Sequence, residues 1–419
     1  MLPRTKGLLS IVAWGLLMLL AFTVRAMPGA GDPVVPSLTE RRPDPGQEGL
    51  LRLALARLEE IRDAGGWVTV PEGSPLRVGI RSPRVAALRA RLAQNCEWLP
   101  TADPALFDTV LAAAVRRFQR RCGLPDDGIV GAATLAALNT PVEHRIHQVT
   151  ANLARLARWT PPPSRRWLEV NVPEYRLRYV VDGEVALAMP VVVGRPDRPT
   201  PLLESAVDRL RLNPPWNVPQ KLARHDLLPH LQRDPGYADH LRLRVFASWA
   251  DGAPELDPAR IDWRSLRPEH LAYRFQAAPG PRNPLGHLIF LFPNPWQVFL
   301  HDTSHPALFA RARRCFSSGC VRLAKPRALA RRLLADDPGT DPAVLDSLLS
   351  TGRTVEIPLS DPVPVRIVYR SAWVDAGGTL QFREDVYGLD ERLWRELERE
   401  SEPVVVMAAG EPSGGGRTR

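Results

Sequence analysis

Hydrophobic positions in the first third of the chain recur at the helical period, and beyond residue 165 they begin to alternate. Leu51, Leu53, Leu55 and Leu58, set among Arg and Glu, predict a short helix. In residues 82–92 Ser82 can cap a helix, Pro83 suits its first turn, and Val85, Leu88 and Leu92 share one face. Leu111, Ala114, Val115, Phe118 and Cys122 mark the next helix, residues 131–138 a third, and Ile146, Val149, Leu153 and Leu156 a fourth that ends near Trp159. The three prolines inside residues 160–164 predict a stiff hinge. Past it, residues 167–172 and 175–181 alternate as strands, Asp182-Gly183 reads as a hairpin turn, and residues 185–193 as the next strand. Residues 214–283 lose the pattern and are expected to form an inserted lid. Strands return at 288–292 and 297–300, a helix at 326–334 and a strand at 363–369. The fold class expected is multidomain α+β: a small helical module, then a β-rich domain carrying an inserted lid subdomain.

At 419 residues the chain has room for two or three domains. Its 43 prolines favour short strands and rigid turns over long helices. Basic residues outnumber acidic ones 55 to 46, yet lysine stands only at 6, 221 and 325. The arginines are scattered among carboxylates, which argues against nucleic acid and suits an anionic polymer as partner. Arg4 and Lys6 precede an uncharged run from Leu8 to Val24, and Val24-Arg25-Ala26 offers a cleavage site. Residues 1–26 therefore read as an export signal, either removed or kept as an inner-membrane anchor, with the remainder outside the cytoplasm. In such a compartment the four cysteines invite pairing, and a Cys96–Cys122 disulfide is expected. A zinc site is not, because there is no Cys-x2-Cys pair and His301 with His305 has no third ligand nearby in sequence.

The chemistry concentrates in His301-Asp302-Thr303 and Ser317-Ser318-Gly319-Cys320-Val321-Arg322. A free thiol titrates near pH 8.5, so Cys320 needs a base or a positive field to attack a carbonyl, and His301 is the candidate base. Gly319 permits a tight turn that can aim backbone N–H groups at an oxyanion, and Arg322 can grip a substrate carboxylate. A papain-like protease would place the cysteine first and the histidine far downstream, the reverse of the order here. Cys315 lies close enough in sequence for an oxidative bond to Cys320, a further expectation.

Residues 76–139 carry Val85-x-x-Leu88-x-x-x-Leu92, Val115-x-x-Phe118-Gln119 and Asp127-Gly128-x-x-Gly131-x-x-Thr134-Leu135, and resemble the peptidoglycan-binding type 1 module. Residues 167–388 carry Val193-Gly194-Arg195-Pro196, Asn213-Pro214-Pro215-Trp216-Asn217-Val218-Pro219, Phe292-Pro293-Asn294 and the two stretches above. They resemble the L,D-transpeptidase catalytic domain, the YkuD fold, in its large periplasmic YcbB-like subfamily. The resemblance implies that Cys320 attacks the third residue of a donor tetrapeptide stem and expels D-Ala, and that the acyl group then passes to the side-chain amine of an acceptor stem. His301 would take the thiol proton, the Asp302 carbonyl would orient its ring, and Ser317, Ser318, Gly319 and Arg322 would support the site. No metal or cofactor is implied, and carbapenems would inhibit by acylating Cys320. Ser318 departs from the family motif, which has His there. An L,D-carboxypeptidase or endopeptidase, or a catalytically weak wall-binding scaffold, are the alternatives. The expected division is a leader (1–26), a lead-in and scaffold helix (27–75), the binding module (76–140), a helix and hinge (141–166), the catalytic domain (167–388, with lid 214–283) and a C-terminal helix with disordered tail (389–419).

Overall fold

The computed structural model describes residues 45–95, 101–160, 162, 164–338 and 341–401. The expected leader, most of the lead-in, Cys96 and the tail expected to be disordered, 408–419, lie outside these residues. Cys122, the other half of the expected disulfide, is a half-buried free thiol.

The scaffold helix α1 (Pro45–Asp63) is longer than the short helix expected. Three further helices, α2 (Pro83–Ala93), α3 (Thr109–Arg121) and α4 (Ala132–Leu138), enclose a core of Val85, Leu88, Leu92, Phe107, Leu111, Val115, Phe118 and Leu138. Ser82 caps α2 by accepting from the Arg84 amide, and Asp108 caps α3 by accepting from the Leu111 amide. The sequence pattern of this module proves to be an interlock. Buried Gln119 donates to Asp127, to the Ile129 carbonyl and to the Thr134 hydroxyl, and accepts from the amide of Gly128. Gly128 sits at φ +76°, which explains the glycine. These pattern residues hold the module together from inside, so they mark its fold rather than a binding surface.

Helix α5 (Val142–Ala157) alters the expected hinge. Its Asn152 amide donates to the Ser371 hydroxyl at 2.7 Å, Gln148 donates to the Arg383 carbonyl at 2.7 Å, and Arg155 pairs with Asp390 at 2.5 Å. His147 stacks on Trp394 with centroids 4.1 Å apart. The partners lie on or beside the hairpin β14 (Ala372–Val374) with β15 (Leu380–Phe382), and on α11 (Leu389–Ser401). Leu51, Leu58 and Ile61 of α1 join the same apolar cluster. Helices before the proline run are thus clamped to segments more than 200 residues later.

The β-rich domain is a closed ring. β1 (Arg166–Asn171), β2 (Arg176–Val181), β3 (Glu184–Gly194) and β4 (Leu203–Leu212) come first, with β9 (Leu288–Leu291), β10 (Leu300–His301), β11 (Cys315–Ser317), β12 (Val321–Leu323) and β13 (Val355–Val368) after the insertion. The order β3-β12-β10-β9-β4-β13-β1-β2 closes because β2 also pairs with β3, and β11 adds to the end of β3. Leu168, Val170, Met189, Val191, Phe290, Leu300, Val321 and Val365 fill its interior with α9 (Pro326–Ala335) and α10 (Val344–Ser350) packed alongside. Neither β4 nor α10 was expected from the sequence pattern, and β13 is twice the strand expected at 363–369.

The insertion folds as a unit with its own core of Val218, Leu228, Leu231, Val245, Trp263 and Phe275. β5 (Trp216–Asn217), β6 (Leu243–Phe246), β7 (Glu255–Leu256) and β8 (Arg274–Ala277) form its sheet in the order β5-β8-β6-β7. A continuous helical stretch runs from α6 (Gln220–Leu222) through a π-helical turn, Ala223–Leu227, into α7 (Leu228–Arg233), and α8 (Tyr237–His240) follows.

Candidate active site

Strands β10 and β12 run parallel, with Leu300 opposite Val321 and His301 opposite Arg322. Leu300 and Val321 point into the barrel core. Alternation then sends His301 and Arg322 to the opposite face, and Cys320 stands immediately before β12, partly buried against the edge of the barrel core. The strand expected at 297–300 delivers only its last residue. Gln297 has φ +54°, and the Asn294 side chain clamps the loop by donating to the Phe292 and Val298 carbonyls and accepting from the Val298 amide.

His301 is 4% exposed. Its Nδ1 donates to the Asp302 carbonyl at 2.5 Å, which leaves the Nε2 lone pair as the basic position. The Asp302 carboxylate, unforeseen, accepts from the amides of His287 at 2.9 Å and Thr303 at 2.7 Å and so fixes the strand end. Gly286, at φ +62°, lies against that carboxylate so closely that a Cβ would come within 2.5 Å of it. Burial, reinforced by the Arg322 charge, pulls the ring's pKa down to about 3, despite the opposing carbonyls of Asp302 and Leu285. Burial likewise pushes the Cys320 thiol up, against a hydrogen bond from the Phe299 backbone and the Arg322 charge. The resting pair is therefore neutral thiol and neutral imidazole, and the proton moves when a carbonyl arrives.

The turn is built from Ser317 and Gly319. Ser317 is buried; its hydroxyl donates to the Cys320 carbonyl at 2.5 Å and accepts from the Gly319 amide at 3.2 Å. The Gly319 amide, for which an oxyanion role was expected, is bonded inside the turn in this structure. What Gly319 supplies is φ +119°, a backbone state other residues rarely adopt. Among the described hydrogen bonds none uses the Cys320 N–H, which is the donor this turn leaves for an oxyanion. Arg322 is half-buried, and its Nε has no hydrogen-bond partner. Ser318 is exposed and accepts from Arg198 Nη1 at 3.2 Å. Cys315 turns into the core, where its Sγ meets the Tyr175 hydroxyl at 2.9 Å, and both it and Cys320 are free thiols.

A supporting network went unseen in the sequence. Thr200 donates its hydroxyl to the Gly319 carbonyl and accepts from the Gly194 amide, both at 2.8 Å. Its own amide donates to the Tyr387 hydroxyl, which donates in turn to the Gly194 carbonyl. Gly194 stood in a quoted motif; Thr200 and Tyr387 carried no signal because their partners are remote in sequence.

The neutral pair predicts a pH profile. Alkylation of Cys320 by uncharged iodoacetamide should rise continuously through pH 8 without a plateau near neutrality, because burial disfavours both the imidazolium and the thiolate. A plateau with a midpoint between pH 6 and 7, roughly the range of an activated thiolate, would contradict the neutral pair.

Residues 165–357 match the family model described as "L,D-transpeptidase catalytic domain", and residues 81–138 match "Putative peptidoglycan binding domain". A Haemophilus influenzae protein named "Putative L,D-transpeptidase" is 34% identical over 232 residues, 55% of this chain and 46% of that protein. The chain thus spans about half the length of the curated relative it matches. Among solved structures, an L,D-transpeptidase from Xylanimonas cellulosilytica is 16% identical with a TM-score of 0.21, over 71% of this chain and 99% of that one. L,D-transpeptidase 3 from Mycobacterium tuberculosis, in complex with a faropenem-derived adduct, is 12% identical with a TM-score of 0.24, over 48% and 60%. Overlaps this low carry no argument about the site. By the family matches, residues 165–357 are an L,D-transpeptidase catalytic domain of the YkuD family, preceded in the chain by a peptidoglycan-binding domain.

Proposed function

We propose that the chain cross-links peptidoglycan by joining the third-position diamino acids of two stem peptides through a cysteinyl acyl-enzyme. The observation that carries this reading is a carbonyl-oriented His301 that ends β10 beside the parallel β12, the strand that Cys320 immediately precedes. His301 Nε2 takes the thiol proton as Sγ bonds to the carbonyl carbon, and the Cys320 N–H steadies the oxyanion. The C–N bond to the terminal D-Ala breaks and the departing amine takes the proton from His301. An acceptor amine then attacks the thioester, loses a proton to His301 and releases the thiol. Burial of His301 keeps it unprotonated, ready for both transfers. The leader read from residues 1–26 supports action in the periplasm, where the polymer lies, and the binding domain suits the same partner.

Intact-mass measurement on the purified chain tests it. Incubation with a carbapenem should add one inhibitor mass at Cys320, and incubation with a disaccharide tetrapeptide should yield dimers with loss of D-Ala. Release of D-Ala without dimers would assign an L,D-carboxypeptidase instead. No adduct and no turnover, with binding to murein sacculi retained, would assign a wall-binding scaffold.

A further inference from the structure

Arg198 lies on the loop between β3 and β4, and its side chain is only 14% exposed. Its Nη1 donates to Ser318 Oγ at 3.2 Å and to Asp226 Oδ2 at 2.5 Å. One guanidinium therefore joins the cysteine turn to the inserted subdomain, since Asp226 belongs to the π-helical turn Ala223–Leu227. Single π-helical turns inside helices are frequent at functional sites. The loop holds Arg198 firmly. Its amide donates to the Arg195 carbonyl at 2.9 Å, and two residues on Thr200 is bonded to both Gly194 and Gly319. The partner is held less firmly, because the Asp226 side chain is 40% exposed. A half-exposed ion pair contributes little, so a second carboxylate can take the place of Asp226.

We propose, resting on the function above, that Arg198 recognises the terminal carboxylate of the donor's departing residue and that Asp226 occupies it until the donor arrives. The carbonyl attacked by Cys320 belongs to the residue before the departing one, whose carboxylate stands about one residue further, roughly 3.8 Å between α-carbons. The receptor for that carboxylate must sit beside the turn but not on the thiol, and Arg198 at Ser318, two residues before Cys320, is so placed. A donor extended by another residue presents a peptide bond there instead of an anion. Ser318 fits this role: its compact hydroxyl accepts from the guanidinium, whereas the histidine of the family motif would set a ring in that space. Arg198 thus determines which stem length is accepted, and its loss affects anionic donors selectively.

The first test does not depend on the transfer reaction. Cys320 in the purified chain is alkylated with iodoacetate or with iodoacetamide and followed by peptide mass in wild type, Arg198→Ala, Arg198→Lys and Asp226→Asn. The iodoacetate-to-iodoacetamide rate ratio should fall about tenfold in Arg198→Ala, the scale of one charge-assisted hydrogen bond, fall less in Arg198→Lys, and rise in Asp226→Asn. A ratio unchanged in the Arg198→Lys and Asp226→Asn variants would overturn the assignment even if Arg198→Ala failed to fold. The second test uses tetrapeptide donors ending in a free carboxylate or its amide. Arg198→Ala should raise KM about tenfold for the acid and leave the amide unchanged. Equal losses on both donors would reduce Arg198 to a structural part. If wild type turned over neither donor, the proposed function would fall while the alkylation ratio still judged Arg198.

Discussion

Alanine at Cys320 is expected to abolish covalent capture of a carbapenem and all release of D-Ala, because among the described residues no other thiol stands beside the β10–β12 pair that carries His301. Cys315 is committed to the Tyr175 hydroxyl inside the barrel, and Cys122 lies on the binding module. His301→Gln should retain the fold, since the amide can still donate to the Asp302 carbonyl, but it supplies no base near neutral pH. Loss of a positioned general base typically costs 10²- to 10⁴-fold, so acylation should slow by about that factor. Stopped-flow acylation by a carbapenem measures it. Because the resting thiol is not a thiolate, the neutral pair makes the histidine more important than it would be beside an already ionised cysteine. Wild-type acylation rates in His301→Gln would remove His301 from the mechanism.

The second large effect is expected at a residue that carries no reacting group but pairs with Ser317 of the cysteine turn. In Gly194→Ala the new Cβ would meet the Arg198 carbonyl oxygen, the Thr200 nitrogen at 2.6 Å and the Pro199 carbonyl carbon at 2.8 Å. These are backbone atoms, so no side chain can swing aside. Either the loop shifts, taking Thr200 away from the Gly319 carbonyl, or the strain remains. Overpacking of this kind costs about 3 kcal/mol, and thermal denaturation should shift down by several degrees. Acylation of the folded fraction should slow as well, because the cysteine turn loses the bond that anchors it. A variant with unchanged melting and unchanged acylation would show that the loop adapts freely. Thr200→Val provides a milder control that removes the hydroxyl bonds without adding a clash.

Local order is where the sequence spoke clearly. The Ser82 cap, the helical faces of α2 to α5 and the first two strands follow from signals that only neighbouring residues set. The thiol, the histidine and the glycine turn were legible for a related reason: chemistry requires those residue types, and few replacements serve. β13 was half missed because Ser360-Asp361-Pro362 reads as a break, while the structure absorbs it in a register shift between Pro358 and Val363. The proline run near residue 160 read as a hinge because hydrogen bonds from α5 to Ser371, Arg383 and Asp390 have no local signature.

The sequence by itself determined the helical and alternating segments, the inserted region, and which groups are candidates for the reaction. Only the tertiary structure decided which groups share a face, since that depends on the parallel register of β10 against β12. It also decided their protonation, because charge is governed by burial and by Arg322, neither of which is a property of local sequence. The attachment of Thr200, Tyr387 and Asp226 to the cysteine turn was likewise decided there: it runs through hydrogen bonds between residues 28 to 193 positions apart, most of which form only after the chain has closed its barrel.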